Sequence, residues 1–277
     1  MAIITFWNDG KAETGQSMTM AAVATALAIQ YDYKILMINT KYDDSSLECA
    51  FESKNTVNKM FSKGKVDLGT GISGVAKAIM SNKTSPEIIT NYTKIILRNL
   101  ELLTEKKTDR DTDKNDFDRY IEYLKDIIKL ANRYFDIVLV DLEGPIEEQK
   151  IKEILELSTV RVITTTQNLN IIDNFMEQKE KSTILQAPNK IISIGRYDEK
   201  SKYTVRNVAK YIREKIVIGV PYNTMFSMDA PEGKVADYVI RFRKVNQANI
   251  NAGFVNAIQK ETEEIIRMVK ETQRKIY

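Results

Sequence analysis

A loop of small and polar residues follows the first apolar run of the chain. ITFW at residues 4–7 leads into a segment that contains Gly10, Lys11, Gly15 and Ser17, and an Ala-rich helix is predicted to follow. A loop between a buried strand and a helix can bind phosphate, because backbone N–H groups and the positive end of the helix dipole face the anion. Glycine permits close approach of the backbone, and a serine hydroxyl can hold Mg²⁺.

One position departs from the usual phosphate-loop pattern. G-x-x-x-x-G-K-[ST] is met from Gly10 to Ser17, except that Gln16 stands where the lysine belongs. A glutamine amide can donate to a phosphate oxygen but brings no charge. Electrostatic stabilisation of the transferred phosphoryl group is the main work of such sites, so we expect slow or absent turnover. A turn that binds nothing is the alternative interpretation.

The composition excludes several classes of function. The chain has 277 residues, no histidine and one cysteine, Cys49, which rules out histidine catalysis, histidine metal ligands and an internal disulfide framework. The net charge of +3 is too balanced to indicate nucleic-acid binding by itself. We expect a cytoplasmic protein, because a lone cysteine suits a reducing compartment, the N-terminus lacks a signal-peptide pattern and no apolar run approaches membrane-spanning length.

Apolar runs alternate with helical segments along the chain. This alternation predicts a doubly wound α/β fold, an open and mostly parallel sheet with helices on both faces. Ligands of such sheets bind beyond the carboxyl ends of the strands. The predicted strands lie at 4–7, 34–39, 135–145, 161–166, 190–195 and 215–220.

We predict one domain over residues 1–277. Residues 55–104 read as mainly helical, including 87–103, and the almost wholly polar stretch 105–118 is predicted to be an exposed charged loop. A C-terminal helix is expected within 246–277. Its apolar face has little excess of basic charge beside it, so docking on the domain or on a partner is favoured over a membrane surface. That face comprises Phe254, Ile258, Ile265, Met268 and Val269.

Several segments together resemble one family. Lys11, Gly15 and Ser17 fit K-x-x-x-G-x-[ST], which is similar to the deviant phosphate loop of the ParA/MinD ATPases. The resemblance spans roughly residues 3–245. Within the family, the sequence most resembles the TadZ-like, ParA-like proteins of Firmicutes. It continues in IVLVD ending at Asp141, VITTTQ at 162–167, IGRYDEKSKYT at 194–204 and GVPYNTMFSMDAPEGKVADY at 219–238.

The resemblance implies a P-loop NTPase fold, ATP and Mg²⁺ as cofactors, and a homodimer. Lys11 would reach across an ATP-sandwiched dimer, and Asp141 would support the water shell of a Mg²⁺ held by Ser17. Asp43, or its neighbour Asp44, is a tentative substitute for the acidic residue that positions the attacking water. The implied nucleotide contacts are Gly10, Lys11, Thr14, Gly15, Gln16, Ser17, Met18, Arg196, Pro221, Tyr222 and Asn223.

This sequence departs from the family at three places in the implied site. Gln16 replaces the loop lysine, Asn39-Thr40-Lys41 stands where D-x-D is usual, and Gly195 replaces an adenine-contacting asparagine. The combination favours a degenerate ATPase that retains binding. Simpler interpretations remain for single residues: a helix cap for Asp141, a solvated lysine for Lys11, and ordinary turn residues for Tyr222 and Asn223.

The resemblance favours a spatial organiser that recruits a partner complex, for example a TadZ-type pilus-assembly machine, at the pole or the inner membrane face. Contact with the membrane would be only indirect. One alternative is a slow active ATPase in plasmid or chromosome partition, and another is a nucleotide-free interaction module. DNA contact has weak support, from the basic cluster of Arg241, Arg243 and Lys244.

Overall fold

The structure, a computed structural model, describes residues 1–41, 44–53, 71–105 and 114–276. Eight strands share one sheet in the order β3-β4-β2-β5-β1-β6-β7-β8, and all neighbouring pairs are parallel except β3–β4. The predicted fold class is confirmed. The strands are β1 (Ala2–Asn8), β2 (Ile35–Asn39), β3 (Lys94–Leu97), β4 (Leu100–Leu103), β5 (Ile137–Glu143), β6 (Val160–Thr165), β7 (Lys190–Tyr197) and β8 (Val217–Pro221).

Helices cover both faces of the sheet, as the alternation predicts. The described α-helices are α1 (Gln16–Gln30), α2 (Ser46–Phe51), α3 (Ile72–Met80), α4 (Lys114–Ile121), α5 (Leu124–Asn132), α6 (Gln149–Leu157), α7 (Leu169–Lys181), α8 (Thr183–Gln186), α9 (Val205–Ile212), α10 (Thr224–Asp229), α11 (Val235–Phe242) and α12 (Ala252–Ile276). Two short 3₁₀ helices lie at Pro86–Asn91 and Ala230–Glu232.

Each face of the sheet has its own hydrophobic core. In β1, Ile4 and Phe6 belong to the core beneath α1, α11 and α12, whereas Ile3 and Trp7 belong to the core beneath α3, α5, α6 and α7. Such alternation follows from the opposite directions of successive side chains in a strand. Burial on both faces explains why the central strands are apolar at nearly every position.

Three predicted segments need correction. Residues 87–103 are not a helix: they form the 3₁₀ turn and the antiparallel hairpin of β3 and β4. In the hairpin turn, the side-chain amide of Asn99 donates to backbone carbonyls near the end of α1, which fixes the turn there. The predicted loop 105–118 ends early, because α4 begins at Lys114; residues 106–113 and 54–70 lie outside the described part. The C-terminal helix begins at Ala252 rather than 246.

The C-terminal helix docks on the sheet, as its pattern indicates. All of its predicted apolar face is buried in the core shared with α1 and α11. None of the helices among the described residues has the length and apolar character needed to cross a bilayer.

Candidate phosphate-binding site

The loop between β1 and α1 has the backbone geometry of an anion site. Gly10 and Gly15 have φ values of 78° and 74°, in the left-handed region that favours glycine. A Cβ at Gly15 would meet nothing within 4 Å, so the backbone angle rather than space calls for glycine. No side chain caps the first turn of α1. Its N–H groups and the positive helix dipole are therefore available to an anion in the adjoining space.

Two spaces that share lining residues, among them Gly15 and Met18, adjoin this helix end at the carboxyl edge of the sheet. One, of about 520 Å³, surrounds the loop, and the other, of about 430 Å³, extends toward the end of β8. The first is lined by Gly10, Lys11, Thr14, Gly15, Gln16, Ser17, Met18 and Arg196, with Asn8, Lys41, Asp44 and Glu143 among the rest. The second adds Pro221, Tyr222 and Asn223. Every nucleotide contact implied by the sequence thus borders one of the two spaces.

Gln16 lies beneath the loop, with 3% of the residue exposed. Its Nε2 donates to Asp141 Oδ1 at 2.6 Å and to the carbonyl of Leu142 at 3.0 Å. Its Oε1 accepts from Asn8 Nδ2 at 3.1 Å and Thr164 Oγ1 at 2.6 Å. Both amide hydrogens and both oxygen lone pairs are therefore engaged, which leaves the amide no hydrogen bond for a phosphate.

Ser17 and Asp141, the predicted metal residues, lie together but bond to each other. Ser17 Oγ donates to Asp141 Oδ2 at 2.5 Å, while the amide of Gln16 takes Oδ1. Burial raises the pKa of the fully buried Asp141 carboxyl, although the ammonium of Lys41 and these hydrogen bonds favour its charged form. Asp141 caps no helix, because α6 begins only at Gln149.

Sequence reasoning did not assign a role to Lys41, which lies at the centre of the site. Its Nζ donates to Ser17 Oγ at 3.0 Å and lies 3.5 Å from Asp141 Oδ1, 3.0 Å from Glu143 Oε2 and 3.9 Å from Asp44 Oδ2. Burial by itself would lower the pKa of this ammonium, but the three carboxylates outweigh burial and raise it. Lys41 is therefore a charged group within the site.

The site as it stands does not fit a hydrated Mg²⁺. That ion requires near-octahedral oxygen ligands at about 2.0–2.1 Å. Here Ser17 Oγ, the expected direct ligand, donates to Asp141 Oδ2 and accepts from the ammonium of Lys41 at 3.0 Å, so a cation already lies at this hydroxyl. Among the described residues, no group of three or more Asp, Glu, Cys or His side chains has a metal-binding arrangement.

Lys11 and Arg196 border the loop at its exposed side. Lys11 Nζ donates to Asn174 Oδ1 on α7 at 2.7 Å, away from the start of α1. Arg196 has a φ of 51° and forms a 2.9 Å ion pair with Glu13 of the loop. Asp43, the tentative catalytic residue, lies outside the described part of the chain.

The other two departures from the family pattern have structural reasons. Gly195 packs directly against the loop, since a Cβ there would lie 1.8 Å from the carbonyl oxygen of Thr14. Asn39 holds the turn after β2: its Oδ1 accepts from the backbone N–H of Lys41 at 3.1 Å, and its Nδ2 donates to the carbonyl of Asp44 at 2.7 Å. Both residues therefore support local geometry.

Several solved structures align with nearly the whole length of this chain. A ParA family ATPase from Chlorobium tepidum TLS aligns with a TM-score of 0.69 and 16% identity, over 95% of this chain and 98% of its own. The fold is the ParA/MinD type of P-loop NTPase. MinD from Pyrococcus horikoshii OT3, complexed with Mg-ADP, aligns with a TM-score of 0.65 and 14% identity, over 98% of this chain and 99% of its own.

A third ParA/MinD-type structure is a MinC:MinD complex from Aquifex aeolicus, with a TM-score of 0.61 and 14% identity, over 95% of this chain and 96% of that chain. No protein-family model matches the sequence, and neither does any curated protein. At these identities the likeness concerns the fold alone. The chemistry of the site has to be argued from its own residues.

Proposed function

We propose that this protein binds ATP without efficient hydrolysis and acts as a ParA/MinD-like spatial organiser. The observation that carries the proposal is the uncapped start of α1, preceded by two left-handed glycines and open to a space large enough for a polyphosphate. Lys41 and Arg196 add positive charge at its border. Backbone donors, a helix dipole and nearby cations are the usual means of holding phosphate.

The second space supplies walls for a base and a sugar. Met18 on α1, Pro221 and Tyr222 at the end of β8, and Phe226 on α10 present apolar or aromatic surface there. Asn223 adds a polar group whose side chain is fixed, since it accepts from the N–H of Phe226 and donates to Asn251. A mostly apolar pocket with a few placed polar groups is typical of a small-molecule site.

Hydrolysis should be impaired because the groups that would promote it are engaged elsewhere. The amide of Gln16 is saturated by buried partners. Asn39 has no carboxylate, and its side-chain amide is hydrogen-bonded to the backbone of Lys41 and Asp44. The carboxylate of Asp44 accepts from the N–H of Ser46 at the start of α2. Loss of charge stabilisation at a transferring phosphoryl group costs orders of magnitude in rate.

We further propose a homodimer that recruits a protein complex, a pilus-assembly machine of the TadZ type being one example. The side chain of Lys11 is 53% exposed and reaches outward from the loop. From this position it could contact a nucleotide held by a second copy. The MinD of the Aquifex complex assembles with MinC, which illustrates partner binding on this fold.

Titration with a fluorescent ATP analogue tests nucleotide binding. We expect micromolar affinity for the natural protein and loss of binding for Gly15→Val, because a β-branched residue cannot easily adopt a φ of 74°. Asn82→Val is the matched control. Asn82 has a φ of 57° and lies in an exposed turn away from the cavity, so valine there imposes comparable backbone strain without touching the site. Equal weakening in both variants, or no binding by the natural protein, would contradict the proposal.

A fluorescent fusion in the organism's own cells tests the organiser role. We expect discrete foci or polar signal, and we expect that signal to become diffuse in the Gly15→Val variant. A uniform distribution of the natural protein would exclude a role as spatial organiser, even if ATP binding were established.

A further inference from the structure

We propose that the ammonium of Lys41 takes the place of the metal ion, so that this pocket binds a nucleoside polyphosphate without Mg²⁺. The proposal rests on the nucleotide binding proposed above and concerns how the same site neutralises the phosphate charge. It assigns a positioning and binding role to a residue outside the phosphate-loop pattern.

The contacts of Lys41 are those expected of a cation at the metal position. Its Nζ contacts Ser17 Oγ at 3.0 Å and Asp141 Oδ1 at 3.5 Å, the two residues predicted to hold Mg²⁺. Only 18% of the lysine side chain is exposed, and Asp141 is fully buried. A partly buried pair of this kind is screened far less by salt than a surface ion pair.

The backbone around Lys41 is fixed to the neighbouring strand. Asn39 lies in register with Asp141, and Asn39 Oδ1 accepts from the N–H of Lys41 at 3.1 Å. Thr40 Oγ1 donates to the carbonyl of Asp141 at 2.6 Å. The turn that carries the lysine is thus bonded to the strand that carries its carboxylate partner, which holds the ammonium near Ser17.

A divalent ion and this lysine compete for one position. Both carboxylate oxygens of Asp141 already accept hydrogen bonds, from Gln16 and Ser17. Mg²⁺ would have to displace the Ser17 bond and lie beside a charged ammonium. Like charges at such short range repel, and beside a buried carboxylate they are screened less than in open water. Mg²⁺ would therefore bind more weakly here than at a site without the lysine.

The ammonium can serve a phosphate and Asp141 at once. Lysine has three donors, and Glu143, its third close partner, has a side chain that is 41% exposed. Glu143 can turn to solvent and leave its place to a phosphate oxygen, whereas the buried Asp141 cannot. Charge-assisted hydrogen bonds to phosphate are among the strongest that proteins form.

The test compares ATP affinity in chelator and in Mg²⁺, by titration calorimetry. We expect the natural protein to bind with the same affinity in both, within about threefold. Lys41→Met should lose about tenfold or more in chelator and recover affinity when Mg²⁺ is added, because no ammonium then competes with the metal beside Ser17 and Asp141. Lys83→Ala, which removes a charge from an exposed lysine after α3, should behave like the natural protein.

Each outcome bears on a different claim. Binding by the natural protein only with Mg²⁺, or undiminished binding of ATP by Lys41→Met in chelator, would overturn the role of Lys41 and leave ATP binding intact. An absence of binding under both conditions would overturn ATP binding and this inference with it. Lys41→Gln, which retains a polar end, replaces the methionine variant if circular dichroism shows that the latter does not fold.

Discussion

The ammonium of Lys41 donates a hydrogen bond to the hydroxyl of Ser17, across 3.0 Å. Ser17 lies in the first turn of α1, whereas Lys41 follows the second strand of the sheet. This contact replaces the charge that the loop lacks at Gln16 with a charge from a different element. It also places a cation at the hydroxyl that the sequence predicts to hold a metal. We propose that this arrangement favours ATP binding over turnover.

The Asp141 carboxylate should be the most sensitive group of the site for stability. Asp141→Ala removes the buried partner of Lys41 and leaves the amide of Gln16 without one acceptor. We expect the free energy of unfolding to fall by about 3 kcal/mol, because the remaining groups stay buried and poorly paired. Asp141→Asn keeps the shape and should cost clearly less. Urea denaturation measures both, and equal stability of Asp141→Ala and the natural protein would contradict this arrangement.

Gly195 should be essential for the position of the loop. Gly195→Ala places a Cβ within 1.8 Å of the Thr14 carbonyl oxygen and must shift the backbone before α1. We expect a clear loss of ATP affinity, with a loss of about 1–3 kcal/mol of stability. Gly253→Ala is the control, because its Cβ would meet only Pro221 at an ordinary 3.7 Å. Equal ATP affinity and equal stability of the two variants would contradict close packing at Gly195.

Placing a lysine at position 16, where phosphate loops usually have one, should not produce ATP hydrolysis. In Gln16→Lys, Asn8 and Thr164 lose an acceptor, and a second ammonium comes close to Lys41. We expect about 2 kcal/mol of destabilisation and no rise in ATP hydrolysis. Adding Lys41→Met should recover part of the stability, which a double-mutant cycle would reveal as coupling.

The control for that substitution is Gln273→Lys, at an exposed position near the end of α12, which should be close to neutral. A fully stable Gln16→Lys protein with rapid turnover would show that the buried hydrogen bonds of Gln16 matter little.

Glu261 should make stability fall as pH rises. It is fully buried on α12, Ser193 donates to its Oε2, and burial raises its pKa to about 7. The folded state therefore holds a proton that the unfolded chain releases near its ordinary pKa of about 4.3. The stabilisation is complete below that value and is lost as pH rises through 7. Between pH 5.5 and 8 the loss should be about 2 kcal/mol.

Denaturant unfolding at several pH values measures this dependence, and Glu261→Gln should remove it. The difference between variant and natural protein cancels the constant effect of the substitution. A natural protein whose stability relative to Glu261→Gln does not change over this range would show that Glu261 titrates normally.

The sequence was sufficient to predict the fold and to name residues that lie around one cavity. Buried parallel strands are continuous apolar runs, and the loop at Gly10–Ser17 follows the first of them. The β3–β4 hairpin was missed because KIILRNLELL is equally apolar in a helix, and only the packing of Asn99 against the end of α1 settles the turn.

Lys41 was missed because its role depends on strand order. Its partners Asp141 and Glu143 are about 100 residues away in sequence and meet it because β2 pairs with β5, which places Asn39 opposite Asp141. Sequence periodicity reveals strands but not their neighbours. The available signal was a lysine immediately after a strand at the carboxyl edge of the sheet, where ligands of this fold class bind.

Equilibrium dialysis against labelled ATP, followed by identification of the label that the protein retains, tests the central claim most directly. We predict that the protein retains label and that the label is still ATP after prolonged incubation. Retention of ADP, release of phosphate in repeated turnovers, or no retained label would contradict an ATP-binding protein with impaired hydrolysis.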